Sequence, residues 1–212
     1  MQSTGGSERM EHELKSIRYQ SEKYPRLTTL INRVTMSSLL TAHEKQARGK
    51  AAGIDRVTKD SYEEKDLYGK VRRLIERMKN FTYYPQPVRR TYIPKANGKM
   101  RPLGIPAYED KLVQSVLADI LAEVYEPRFL DCSYGFRPGR GTHDVVRGIN
   151  RDVRKWGINW VLEADIKGFF DNLDQKWLMK FLAHDIADKN FLRYIKRFLC
   201  GGSDGAREGH QQ

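Results

Sequence analysis

The sequence predicts an α+β protein, and three observations predict it. Apolar residues recur at helical spacing between Leu30 and Met78 and again between Leu112 and Leu121. Two short runs, Val88–Pro94 and Met100–Ile105, flank Asn97-Gly98, a dipeptide that tolerates the positive φ of a tight hairpin. A third run, Trp160, Val161, Leu162, Ala164 and Ile166, has the length and apolar character of a buried strand, and two more helical patterns follow it. Helices gathered ahead of strands, rather than alternating with them, make an α+β arrangement.

The elements follow in order. Gln2–Glu8 is rich in Ser and Gly and reads as unordered, and Met10–Ser21 reads as a short helix stopped by Pro25. A helix is predicted from Thr28 to about Arg48 on Leu30, Ile31, Val34, Leu39 and Leu40, ended by Gly49–Gly53. Another starts at Lys59-Asp60-Ser61 and runs to about Lys79 on Leu67, Val71, Leu74, Ile75 and Met78. Pro102 makes the second hairpin strand an edge or irregular strand. Glu109–Glu123 is strongly amphipathic, with Leu112, Val113, Val116, Leu117, Ile120 and Leu121 on one face. Further helices are predicted from Thr142 to about Trp156, from Asp174 to Ile186 and from Asp188 to Leu199. Gly201–Gln212 is Gly-rich, polar and without periodicity.

Composition narrows the classes of partner. The 212 residues suffice for one large domain or two small ones, at 39% hydrophobic and 31% charged. Lys and Arg number 38 against 27 Asp and Glu, a net charge of +11, which favours a polyanion: nucleic acid first, an anionic membrane surface second. No apolar run approaches the roughly 20 residues that span a bilayer, and the polar Met1–Met10 lacks the core of a secretory signal. Cys132 and Cys200 fit no metal spacing and read as reduced thiols of a cytoplasmic protein. His12, His43, His143, His184 and His210 show no ligand spacing either.

Four constellations carry candidate chemistry. Asp165 sits near the end of the apolar run, where a charge is costly unless it is paired or holds a metal. Mg²⁺ suits such a place, because it takes one or two carboxylates, several waters and a substrate's phosphates; a turn or helix cap is the plainer use of the same Asp. Phe169 and Phe170 follow, and on extended backbone adjacent side chains point opposite ways, so at most one need be buried. The hairpin gathers Lys95, Lys99 and Arg101 near its tip, donors suited to a triphosphate, although charged edge strands also guard against aggregation. Tyr134–Arg140 mixes rings, guanidinium groups and glycine-freed N–H groups, the means by which single-stranded or hybrid nucleic acid is gripped, or an ordinary loop packing its rings inward. The helix ending at Lys79 also shows a basic face carrying Arg72, Arg73 and Arg77.

The order of these signals resembles that of the group II intron-encoded reverse transcriptase/maturase family. The resemblance rests on Ile93-Pro-Lys-Ala-Asn-Gly-Lys-Met-Arg-Pro-Leu-Gly-Ile-Pro106, Tyr108-Glu-Asp-Lys-Leu-Val-Gln114, Ser133-Tyr-Gly-Phe-Arg-Pro-Gly-Arg-Gly-Thr142 and Ala164-Asp-Ile-Lys-Gly-Phe-Phe-Asp-Asn172. It covers roughly Arg26 to Leu199 and implies a right-hand polymerase cut short. The implied parts are a flexible or short helical start (1–25), a helical extension along the template (26–87), fingers (88–158), part of a palm (159–200) and an aberrant tail (201–212). Ala51-Ala-Gly-Ile-Asp55 matches as well, with Arg56 where the family usually has glycine.

The resemblance also implies roles. Lys95 and Arg101 bind the triphosphate of an incoming deoxynucleotide, and Asp165 is the first metal ligand with the backbone carbonyl of Ile166 beside it. Phe169 or Phe170, preferably Phe170, gates the sugar, and Arg137 and Arg140 lie near template and primer. The implied partners are template or intron RNA, a DNA primer and deoxynucleoside triphosphates, with two Mg²⁺ ions about 3.5–4 Å apart in the complete enzyme. The family's later Pro-Gln-Gly and Tyr-Ala-Asp-Asp motifs, which bring the other carboxylates, are not found, and Gly201–Gln212 departs from the family pattern. The expectation is therefore an RNA-directed DNA polymerase fragment inactive by itself, or a non-catalytic RNA-binding maturase fragment.

Overall fold

A computed structural model describes residues 4–94, 98, 100–170 and 172–201. Helix α1 spans Thr4–Lys23, so the helix begins within the stretch expected to be unordered. A 3₁₀ turn at Ile31–Arg33 precedes α2 (Met36–Lys45), which corrects the single helix expected from Thr28. The break lies at Thr35, whose extended backbone and hydroxyl form a reciprocal cap with Ser38. The helix expected from Lys59 is likewise divided, into α3 (Lys59–Glu63) and α4 (Leu67–Lys79). Asp66 separates them at φ 50° and caps α4 through the N–H of Gly69, where any Cβ would collide with the Asp66 carboxylate.

Strands β1 (Arg89–Pro94) and β2 (Met100–Ile105) pair antiparallel, from Arg89↔Ile105 to Pro94↔Met100. Of the expected Asn97-Gly98 turn only Gly98, at φ 76°, lies within the described residues. Helix α5 (Tyr108–Tyr125) follows, then a 3₁₀ turn at Glu126–Arg128, α6 (Thr142–Trp156), α7 (Gln175–Asp185) and α8 (Lys189–Cys200).

Helix α5 is the axis of the core. Its Leu112, Val113, Val116, Leu117, Ile120 and Val124 are buried against Ile17 of α1, Leu39 and Ala42 of α2, and Val71, Leu74 and Met78 of α4. Phe191 and Tyr194 of α8 join the same cluster, so the two ends of the described chain share one core. A backbone bridge fastens them: Leu27 N–H donates to Asp185 at 2.9 Å, and Ala187 N–H donates back to Leu27 at 2.7 Å. Arg128 pairs with Asp185 at 2.6 Å beside it.

The strand expected over Trp160–Ile166 is not formed. These residues have no regular structure, Trp160 is 91% and Leu162 93% exposed, and β1–β2 is the one sheet among the described residues. A strand is stable only when a neighbour takes up its N–H and C=O groups, and no described segment pairs its backbone with this one. Helix α6 shares this isolation, with none of its residues buried. No helix among the described residues is long and apolar enough to cross a membrane.

Candidate nucleic-acid interface

The loop from Leu130 to Gly141 is built around Arg137. Its guanidinium pairs with Glu126 at 2.8 Å and donates to the carbonyls of Leu130 (2.9 Å) and Ser133 (2.7 Å), and its side chain is only 5% exposed. Arg137 holds the Glu126 carboxyl below its ordinary range by that bond. Four of the five guanidinium N–H groups are thus used, two within the loop and two on Glu126 of the preceding 3₁₀ turn, a cross-link more than a free phosphate contact. Arg140 donates to the Asp131 carbonyl at 2.5 Å and lies 5.6 Å over the Tyr134 ring. With these two arginines turned inward, Phe136 stands fully in solvent at φ 58°.

Asp165 lies on the exposed segment before a turn closed at Gly168, whose carbonyl accepts from both the backbone and side-chain N–H groups of Asn172 (3.1 and 2.8 Å). Gly168 takes φ 63°, which a side chain would strain. The Asp165 carboxylate has no hydrogen-bond or ion-pair partner among the described residues, and it caps no helix; Asp174 caps α7 instead, at 2.7 Å to the N–H of Lys176. Ile166 and both phenylalanines are exposed, with the Phe169 and Phe170 rings edge-to-face at 5.5 Å and Phe170 82% exposed. The loop therefore presents a carboxylate and two rings together.

Arg101 is exposed on β2, whereas Lys95 lies outside the described residues. Among the described residues no hydrogen bond or ion pair joins the hairpin to 158–173, so Arg101 and Asp165 are not brought into one bonded site. On α4, Arg73 reaches Asp66 at 3.3 Å and Arg77 pairs with Glu109, while Arg72 is exposed with no such partner among the described residues. Acids at the N-cap of α4 and on α5 thus take up part of its basic face.

Two further groups of residues were not singled out from the sequence for what they do. Asp55 accepts from the N–H of Val57 (3.2 Å) and from that of Tyr108 (2.7 Å), so it caps α5 from 53 residues away. Gly53 lies so close to Pro106 that a Cβ would fall 2.3 Å from its carbonyl oxygen. The matching Ala51–Asp55 stretch was a legible signal for this docked loop. Arg193 and Arg197 of α8 lie 4.0 Å over the Phe81 ring and 3.8 Å over the Tyr84 ring. Their four-residue spacing on an acid-free helix was the available sign.

Comparison with known proteins decides the family. The profile of the reverse transcriptase (RNA-dependent DNA polymerase) family matches residues 93–212, a span that also takes in 201–212. The chain belongs to the reverse transcriptase family. It is 46% identical over 134 residues to the group II intron-encoded protein LtrA of Lactococcus lactis subsp. cremoris, covering 63% of this chain and 22% of that protein. It is 38% identical over 123 residues to protein YkfC of Escherichia coli (strain K12), covering 57% of this chain and 32% of that one. Nuclear intron maturase 2, mitochondrial, of Arabidopsis thaliana is 36% identical over 92 residues, covering 43% and 12%. The chain thus spans a third or less of these relatives' lengths.

Reverse transcriptases generally use divalent metal ions, which gives the exposed Asp165 a chemical context. The residues present do not themselves fit a metal cage: no three His, Cys, Asp or Glu converge among the described residues. One carboxylate satisfies a single position of a hard octahedral ion and leaves the rest to other donors.

Proposed function

We propose that this chain is the fingers and the first part of the palm of a group II intron-encoded reverse transcriptase, binding RNA but not polymerising by itself. One observation carries the second half of that reading. Asp165, the residue matching the family's first metal-binding acid, stands on an unpaired segment, and no group of three His, Cys, Asp or Glu converges among the described residues. Two-metal phosphoryl transfer needs a clamp on both the attacking and the leaving oxygen, and a lone monodentate group does not build one. In this reading Asp165 and the Ile166 carbonyl would hold part of a Mg²⁺ site, the ion supplying charge stabilisation to the phosphates of a nucleotide. Phe170, with Phe169 beside it, would press against the sugar of a deoxynucleotide, and Lys95 and Arg101 would take its triphosphate.

Primer extension tests this. The purified chain, given Mg²⁺, an RNA template, a DNA primer and deoxynucleoside triphosphates, is expected to show no incorporation above a protein-free control. Incorporation that disappears in Asp165→Asn would show the site complete and overturn the proposal.

A non-catalytic role in gripping intron RNA is favoured by separate observations: the net charge of +11 and the uncompensated Arg72 on α4. Both readings place RNA on this chain, and they part only over chemistry.

A further inference from the structure

A groove of about 560 Å³ opens where the start of α2, the end of α4 and the start of α8 meet, and no residue of the hairpin or of the Asp165 segment lines it. Its floor is apolar, from Ile31, Val34, Ile75 and Met78. Its polar lining residues are Asn32, Asn190, Lys79 and Thr35, whose hydroxyl already accepts from the N–H of Ser38. Phe81 lines it too, held at φ 59° with its ring partly exposed.

The loop carrying Phe81 is fixed by α8. Arg197 donates to the carbonyls of Tyr83 (2.5 Å) and Phe81 (3.0 Å), while its guanidinium lies over Tyr84 and that of Arg193 lies over Phe81. Tyr84 is 66% exposed, so one ring–guanidinium pair continues the surface that the groove begins. None of Lys79, Arg193 and Arg197 has a carboxylate partner among the described residues. The neighbouring acid, Asp188, is spent internally: it accepts from the N–H groups of Asn190 and Phe191 (3.0 Å each) and of Ile31 (2.8 Å).

We infer that this groove receives an unstacked base of single-stranded RNA, with the adjoining strand running over Arg193, Tyr84 and Arg197. The inference rests on the RNA-binding reading and adds a site to it. A volume of this size holds one nucleoside-sized group. Carboxamides supply a donor and an acceptor each, which suit the edge of a base, and rings beside uncompensated arginines suit stacked bases and their phosphates. An apolar peptide would leave both carboxamides and the ammonium without partners on burial, which is costly.

Fluorescence anisotropy on the full chain tests this with a labelled single-stranded oligoribonucleotide and an otherwise identical one carrying abasic positions. Asn32→Trp fills the groove from its exposed side, and Asn190→Leu removes a carboxamide while keeping the branched side-chain shape; thermal melting checks that each folds. Asn32→Trp is expected to weaken binding of the intact oligonucleotide about tenfold, the scale of losing one stacked base. The slope of affinity against salt stays unchanged, because no cationic side chain is removed. On the abasic oligonucleotide the variant and the parent chain should bind alike. Native-like affinity in both folded variants would overturn the groove assignment while leaving RNA binding intact. A parent chain with no salt-dependent RNA affinity would overturn the RNA reading, and the groove with it.

Discussion

His43 shows how a single residue joins three elements. Its buried ring accepts from or donates to the Tyr108 hydroxyl at 2.8 Å and the Glu63 carboxylate at 3.0 Å, linking α2 to α5 and α3. A Tyr108 O–H donating to Nδ1 leaves Nε2–H to face Glu63, so the neutral ring satisfies both partners. Burial is the larger influence and pushes the His43 pKa down from 6.5, against the opposing pull of Glu63 and Glu44; Lys59 adds to the downward shift. The sign follows from proton binding. An unfolded His43 takes up a proton near pH 6.5 while the folded one resists, so folding stability is full above that pH and falls as pH drops below it. Glu63 and Glu126, whose pKa values are lowered by Arg48 and Arg137, act in the same direction but only below about 4.5. Urea denaturation is therefore expected to show a lower midpoint at pH 5.5 than at pH 7.5, and His43→Gln to flatten that interval. A pH-independent midpoint in the parent chain would show that protonated His43 is tolerated in place.

At the scale of elements, α4 carries the clearest test of RNA binding. Its buried stripe of Val71, Leu74 and Met78 fixes which side faces outward, and that side presents Arg72, Arg73 and Arg77. Asp66 and Glu109 compete for the last two, so Arg72 is the arginine most ready to meet a phosphate. Replacing all three by Gln is expected to weaken RNA binding and to flatten the log–log salt dependence by roughly 0.7–0.9 for each phosphate no longer neutralised. Arg72→Gln alone should carry a full single step, and Arg77→Gln less. An unchanged slope would make this face a solvated one. The helices themselves were legible because a 3.6-residue period survives in the sequence, and α6 begins and ends where its pattern does. The breaks at Thr35 and Asp66 were not, since each depends on a capping side chain inside an unbroken apolar rhythm. The segment at 160–166 misled for another reason: its apolar composition suits a strand, but strand pairing is non-local and composition does not supply the partner. Among the site residues, Asp165, Phe169 and Phe170 fall together because they are neighbours in sequence. That Arg137 is tied to Glu126 is set by a fold of the loop that no local pattern encodes.

The whole molecule divides into a closed part and an open one. Helices α1, α2, α4, α5 and α8 share a core, whereas α6, the segment that follows it and one face of α7 turn apolar side chains to water. Val146, Ile149 and Trp156 of α6, Trp160, Val161 and Leu162 beyond it, and Trp177 and Phe181 of α7 are all at least half exposed. Single exposed apolar residues are ordinary, but so many within one stretch of chain exceed what a monomer usually leaves uncovered. The unpaired backbone of 160–166 adds open donors and acceptors to that surface, the feature that lets strands of separate molecules join. The net charge of +11 opposes association by mutual repulsion, and salt weakens that repulsion while leaving apolar attraction in place. Sedimentation velocity on the isolated chain is therefore expected to show association that grows with protein concentration and with added salt. Trp160→Ser with Leu162→Ser should shift the distribution toward monomer without lowering the unfolding midpoint, because neither side chain belongs to the core. A salt-independent monomer in the parent chain would mean that 158–173 folds onto its own apolar surface in solution, and the same Ser pair would then lower the midpoint.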